Sequence, residues 1–387
     1  MTTKKLIQIH ILQNYSPANL NRDDTGSPKD SMFGGVLRGR ISSQCLKRAM
    51  RKSMFFEDAF RAEGLLANRT RQLYKLLAAE LNVLKASETE KDAILARIPE
   101  MGKKAKEGGE SGTDDASSDE GDGTANTYET KQLIHIAPNE VKPMADKLLT
   151  MYRQVGAGKW AKYDMKEIRK NLGKSLPRSV DISLWGRMTT DEAFEDVHAA
   201  AQVAHALSTN VVKQDFDYYT AVDDLSGETG AGMIGDVEFN SSTYYKYMNV
   251  NFDKLASNLG GSDAVTVAAR AVMAVMDAAV FAQPSGKQNS FAAYNLPDFV
   301  LLEVCPRILP VNYANAFLQP ARPKDGKTLM EVSIEQLAGH VLQMSKLYSL
   351  KAERAFLTTQ ANNKLGDWQT KATLEDLKTW LGQQLEQ

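Results

Sequence analysis

At 387 residues and 42.7 kDa the chain exceeds what one simple core holds, so two or three lobes, or one fold with large insertions, are expected. Hydrophobic residues at 43% and charged residues at 25% exclude wholesale disorder and fibrous folds. The net charge of −1 argues at first sight against a nucleic-acid binder, but the charge is segregated: residues 1–55 hold ten Lys/Arg against three acids, residues 107–125 hold seven acids and no base, and local charge decides binding to a polyanion.

Lys5–Leu12 predicts a strand, with Ile7, Ile9 and Ile11 on one face and Gln8 and His10 on the other. The same N-terminal stretch has no continuous apolar core and no small-residue cleavage site, so a secretory signal is not expected. No apolar run approaches the roughly 18 residues a membrane helix needs. Cys45 and Cys305 are the only cysteines, which leaves neither a disulfide framework nor a cysteine-rich zinc module and predicts a reducing, cytoplasmic setting. From Gln13 to about Gly39, NYSPANLNRDDTGSPKD and then FGG predict a long loop. It carries Arg22 and Lys29 and reads as functional.

RISSQCLKRAMRKS follows, with Ser42 or Ser43 as the natural N-cap of a helix. Leu46, Ala49 and Met50 share one side; Lys47, Arg48, Arg51 and Lys52 fill the opposite arc of roughly 140°. A solvated surface helix has the same spread. Two features favour phosphate binding: no acid interrupts the sequence between Met32 and Phe56, and a helix N-terminus with free N–H groups and the hydroxyls of Ser42 and Ser43 can hold an anion.

From about Glu57 to Arg178 the pattern is helical, interrupted by an acidic, Gly- and Ser-rich stretch near residues 102–129 that reads as a disordered loop. Arg178–Met188 predicts a strand and Asp191–Asn210 an Ala-rich helix. Gln214–Val222 and Gly235–Tyr247 predict the two legs of a long hairpin about a glycine-rich centre. Asp263–Ala282 predicts a helix, Asp298–Cys305 a buried strand, and Ile334–Leu350 and Leu374–Leu385 closing helices. This order predicts an α+β fold with one helical layer; a ferredoxin-like core fits, as do other α+β arrangements.

NRDD (Asn21–Asp24), FGG (Phe33–Gly35), RISSQCLKRAMRKS (Arg40–Ser53), GRM (Gly186–Met188), DYYTAVDDL (Asp217–Leu225) and the Lys287–Asn295 segment together resemble the CasC family, the repeated backbone of the type I-E CRISPR surveillance complex Cascade. The resemblance runs to about Pro323 and is weakest around Leu65–Ser175. It implies a non-enzymatic RNA-holding subunit shaped like a hand. A modified RNA-recognition-motif (RRM, ferredoxin-like) palm would span 1–56, 179–210 and 252–387, helical fingers 57–178, and a β-hairpin thumb 211–251. The implied partners are a CRISPR RNA, target DNA through the guide, further copies stacked head to tail, and other Cascade subunits; no cofactor, metal or membrane is implied. Arg22, Lys29, Ser42, Gln44, Lys47, Arg48 and Arg51 match positions that grip the guide's phosphates and 2′-hydroxyls without reading base identity. Met188 and Tyr219, with Thr220 beside it, match positions that pack at a displaced guide base, where stacking is worth roughly 1–3 kcal/mol. Lys287 and Gln288 are further backbone contacts. Tyr218, Tyr219 and Met188 also read as ordinary packing residues.

The competing class is a metal-dependent ribonuclease, for which Asp23–Asp24 and Asp223–Asp224 offer paired carboxylates. Neighbours in sequence point to opposite faces of a strand, so the expected roles are orientation of Arg22 by Asp23 or Asp24 and shaping of the thumb turn by Asp223–Asp224. The five histidines show no metal-ligand spacing beyond the loose His198 and His205 pair, and no nucleotide-binding or nucleophile-elbow motif occurs.

Overall fold

The computed structural model describes residues 5–101, 128–173, 175–189, 191–222, 231–360 and 365–386. Its strands are Leu6–Ala18 (β1), Asp30–Phe33 (β2), Val36–Ile41 (β3), Asn68–Thr70 (β4), Ile134–Ile136 (β5), Ala201–Val203 (β6), Ala206–Ser208 (β7), Gln214–Val222 (β8), Ala231–Asn251 (β9), Phe299–Cys305 (β10), Glu353–Thr358 (β11) and Gln369–Thr370 (β12). The fold is mixed α+β and divides into two units: Met1–Ala59 with Ala201–Ala256 and Asp263–Gln387, and Phe60–Ala200 with Ser257–Ser262.

The first unit is built on a sheet ordered β12-β11-β10-β1-β9-β7-β3-β2, with β6 and β8 also paired to β9. Among the described residues only β11 and β12 pair in parallel. Alternation in β1 places Ile7, Ile9 and Ile11, all fully buried, on one face. Gln8 and His10 on the other face are buried too, because β10 and β9 flank β1 and the Leu329–Leu347 helix packs over Leu12, Tyr245, Phe299 and Leu301. Their polarity is answered within the core. The Glu303 carboxylate accepts from Gln8 Nε2 (3.1 Å) and Arg354 Nε (2.6 Å) and meets His10 Nε2 at 3.1 Å.

Three expectations need correction. The long loop from Gln13 is largely strand: β1 continues to Ala18, with a register shift between Tyr15 and Ala18 that accommodates Pro17, which has no N–H to give. β2 and β3 then close a hairpin through Gly34 and Gly35, both at positive φ (62° and 79°) as a tight primed turn requires. Arg178–Met188 contains a helix, Val180–Trp185, rather than a strand, and Asp191–Asn210 contains turns and the short strands β6 and β7 rather than a helix. The predicted hairpin legs, the Ala264–Phe281 helix, β10 and the Leu329–Leu347 and Leu374–Glu386 helices are present. β11, which extends the sheet past β10, was not foreseen.

By length and composition Ala264–Phe281 would pass for a membrane span, against the sequence expectation. It is a core helix instead: Val267, Ala268, Ala271, Val272, Val275 and Met276 are buried, and it contacts the Ser43–Arg51 and Leu374–Glu386 helices.

The second unit packs the helices Leu73–Val83, Glu88–Leu95, Pro138–Val155 and Met165–Leu172 around Leu77, Leu81, Ile94, Leu148, Trp160 and Ile168. Its two-stranded sheet pairs β4 with β5. Arg187 is its polar anchor: the guanidinium meets both Glu140 oxygens (2.7 and 2.9 Å) and the backbone exchanges hydrogen bonds with Val197. The acidic stretch lies almost wholly outside the described residues.

Candidate nucleic-acid interface

The predicted basic helix spans Ser43–Arg51, with Leu46 and Met50 buried beneath it. Ser42 is the N-cap; its Oγ accepts from the Cys45 N–H at 3.2 Å. The Ser43 N–H donates to His205 Nδ1 at 3.1 Å. Two of the backbone donors expected to greet an anion are therefore already occupied, and Ser42 itself is buried. Lys47, Arg48 and Arg51 are the cationic side chains this helix offers beside those occupied donors.

Those side chains converge. Burial, with the charges of Arg40, Lys29 and Lys47, holds the His205 imidazole below its ordinary value. That keeps it neutral near pH 7, as an acceptor at Nδ1 requires. Burial raises the Cys45 thiol, against the pull of Lys29, Arg48 and Lys246. Lys29 from the β2 approach, Arg40 from β3 and Lys47 and Arg48 from the helix thus share one neighbourhood. Gln44 and Arg48 are exposed, Lys47 and Arg51 half-buried, and Lys52 pairs with Glu57 at 2.9 Å.

The node of this surface is Asn19–Asn21. Asn19 Nδ2 donates to the carbonyls of Gly26 (3.0 Å) and Glu238 (2.9 Å), tying the Arg22 turn to the root of the β8–β9 hairpin. Asn21 Oδ1 accepts from Ser42 N at 2.8 Å, and the Lys29 N–H donates to Asn21 O at 2.8 Å. Gly286 packs so closely here that a Cβ would stand 2.3 Å from Leu20 O, which brings the Lys287–Gln288 turn to the same node. Gln288 is buried with its Nε2 on the carbonyls of Pro284 (3.0 Å) and Ala293 (3.3 Å), so it shapes this turn, whereas Lys287 is half-exposed. Arg22 is exposed beside this node. Neither Asp23 nor Asp24 pairs with it; Asp23 instead accepts from Thr25 Oγ1 (2.8 Å), Thr25 N (2.9 Å) and Ser27 N (3.0 Å), which holds its carboxyl below the usual range.

On the hairpin, Tyr219 opposes Gly235 and Thr220 opposes Ile234. Opposed residues share a face and successive ones alternate, so Tyr219 and Thr220 present opposite faces. Phe216 and Tyr218, each 66% exposed, stand on the Thr220 face. Asp223–Asp224 lie outside the described residues. Met188 belongs to the second unit, where it is 95% exposed next to the anchored Arg187.

Two members were missed and one basic residue was misjudged. Arg40 and His205 join the cluster; the alternation of Arg38 and Arg40 in VLRGRI was the available signal for Arg40, and nothing local marked His205. Arg38 counts toward the N-terminal positive charge but is fully buried, donating to the carbonyls of Ser208 (3.1 Å), Thr209 (2.7 Å) and Phe317 (2.6 Å).

The first unit thus carries a mixed sheet, a convergent cationic face and an exposed aromatic hairpin, side-chain types that suit a polyanionic strand. The chain belongs to the family described as CT1975-like protein, whose model matches residues 7–380. It is similar to a chain of a solved structure described as "CRISPR RNA-guided surveillance complex, pre-nicking", with a TM-score of 0.78 and 28% identity over 98% of this chain and 100% of that one. A chain of a second, "CRISPR RNA-guided surveillance complex", shares the fold with a TM-score of 0.61 and 22% identity over 98% and 99%. No curated protein sequence matches. Family and fold agree with the CasC-like resemblance carried by the motifs: the fold is that of a CRISPR surveillance-complex subunit.

Proposed function

We propose that this chain is the repeated backbone subunit of a type I-E Cascade complex in the cytoplasm, several copies stacking head to tail along a CRISPR RNA. The carrying observation is the convergence of Lys29, Arg40, Lys47 and Arg48 around His205 and Cys45, with no carboxylate pairing to any of the four among the described residues. Such a face holds phosphates and carries no base identity, which a subunit accepting any guide requires. Arg22, Gln44, Arg51 and Lys287 extend the grip, and Ser42 and Gln288 shape it.

The strand order β10-β1-β9-β7, with a helix after the β2–β3 hairpin that follows β1 and helices directly after β9, supports an RRM-like palm. The hairpin is read as the thumb and the helical unit as the fingers. Between Gln214 and Asn240 the sequence has no Lys or Arg, so a thumb of this composition meets bases through Tyr219 and leaves phosphates to the palm. Met188, held out by the Arg187 anchor, is read as the fingers' contact at the displaced base. The bases between displaced positions remain open for target DNA.

The test is the mass of the complex co-purified with its RNA. Several copies per guide-length RNA are expected; one copy per RNA overturns the proposal. Periodic cuts in a target RNA incubated with the complex and Mg²⁺, lost in Asp24→Ala, would instead favour a ribonuclease.

A further inference from the structure

Away from the cationic face, the loops Pro306–Val311 and Tyr348–Ala352 enclose a cavity of about 280 Å³ at the end of the β10–β11 pair where Cys305 closes β10 and Glu353 opens β11. This approaches the roughly 300–1,000 Å³ of pockets that take small ligands. Leu309, Val311, Tyr313, Tyr348 and Leu350 give it apolar and aromatic walls. The floor is polar and already satisfied: Gln8 and Arg354 both bond Glu303, with Tyr313 Oη a further 3.4 Å donor. Although burial works the other way, His10 and Arg354 hold the Glu303 carboxyl below its ordinary value, so the Glu303–Arg354 pair is internally neutral. Net charge therefore comes from the rim, where Arg307 and Lys351 are exposed and make no ion pair among the described residues.

We infer that this cavity is a binding site for a small amphipathic anion, a flat apolar body bearing a carboxylate, sulfonate or phosphate group. The body stacks between Tyr348 and the Leu309 wall, displacing water from apolar surface, while the acidic group meets Arg307 and Lys351 at the mouth. The neutral floor fixes the cavity's shape and offers no spare charge to a cationic ligand, whereas the rim selects against one.

The test uses 8-anilinonaphthalene-1-sulfonate as the anionic probe and N-phenyl-1-naphthylamine as its neutral counterpart, with fluorescence titration of the folded chain and of the RNA-loaded complex. One saturable sulfonate site per chain is expected, lost when Ala352→Phe fills the cavity. Arg307→Glu with Lys351→Glu, both on exposed side chains, should weaken the sulfonate about tenfold or more while changing the neutral probe far less. Unchanged binding to the filled variant, equal sensitivity of both probes to the rim charges, or loss of the site on assembly, which would make it the seat of another subunit, overturns the inference.

Discussion

The Tyr219 ring lies over Gly235 on the facing strand: a Cβ added at Gly235 would meet Tyr219 Oη at 2.6 Å and Cζ at 2.7 Å. An aromatic ring covering a cross-strand glycine supplies packing the glycine lacks, and the ring stays 40% exposed. The glycine therefore sets where the ring sits, and with it any stacking surface the ring offers a guide base. Gly235→Ala should push the ring aside, and it and Tyr219→Ala should both speed guide release, by an amount on the order of the 1–3 kcal/mol of one stacked base. Tyr219→Phe should remain near wild type. Guide dissociation from the assembled complex, read beside a thermal melt, checks this; a Gly235→Ala complex as tight as wild type contradicts it.

Reversing Lys47 and Arg51 together to Glu should weaken guide binding and assembly. If the guide is held through Z phosphates, log K falls with log salt at about −0.7Z, so losing two contacts should flatten the slope by about 1.4. Titrations across a salt series give the answer, and affinity indifferent to both salt and charge reversal counts against the cationic face.

Lys246 sits fully buried on β9, its Nζ bonded to Gln13 Oε1 and, at 2.9 Å, to Tyr15 Oη. Burial draws its ammonium down to about 7 from the ordinary 10.5. Between these values the unfolded chain holds a proton that the folded chain lacks, so this group's contribution to stability is full above about 10.5 and is lost as pH falls towards 7. Lys246→Met removes that dependence. Its stability relative to wild type should be most favourable near pH 7 and decline as pH rises towards 9, with a slope of at most about 1.4 kcal/mol per pH unit. Parallel denaturant melts at the two pH values test it; a pH-independent difference sinks it.

Arg187 and Met188 are neighbours with opposite expected phenotypes. Arg187→Ala strands the buried Glu140 carboxylate and should lower stability by about 3–5 kcal/mol. Met188→Ala should leave the melt unchanged, since that side chain is 95% exposed, and affect only RNA retention. Equal thermal shifts for both would show that Met188 packs structurally.

What the sequence disclosed follows from which forces are local. The Ser43–Arg51 helix and the first hairpin leg were readable because capping, periodicity and alternation act within a few residues. Asp191–Asn210 was misread because its alanines favour a helix in isolation, while the long β9 recruits Ala201–Val203 and Ala206–Ser208 as pairing strands. Arg38 and Arg40 are both basic, yet one plugs the core through backbone carbonyls and the other joins the cationic face; only tertiary partners separate them. His205 entered the site for the same reason, through a backbone donor 162 residues earlier.

β9 carries the exposed arm at one end and, over the same 21 residues, pairs with β1, β6, β7 and β8. A slip of a single residue would invert every side chain along it and empty the interior. The arm's projection, at about 3.3 Å per residue, is consequently set by the covalent chain, so if it spaces a bound polymer as proposed, that spacing is written in strand length rather than in flexible linkage.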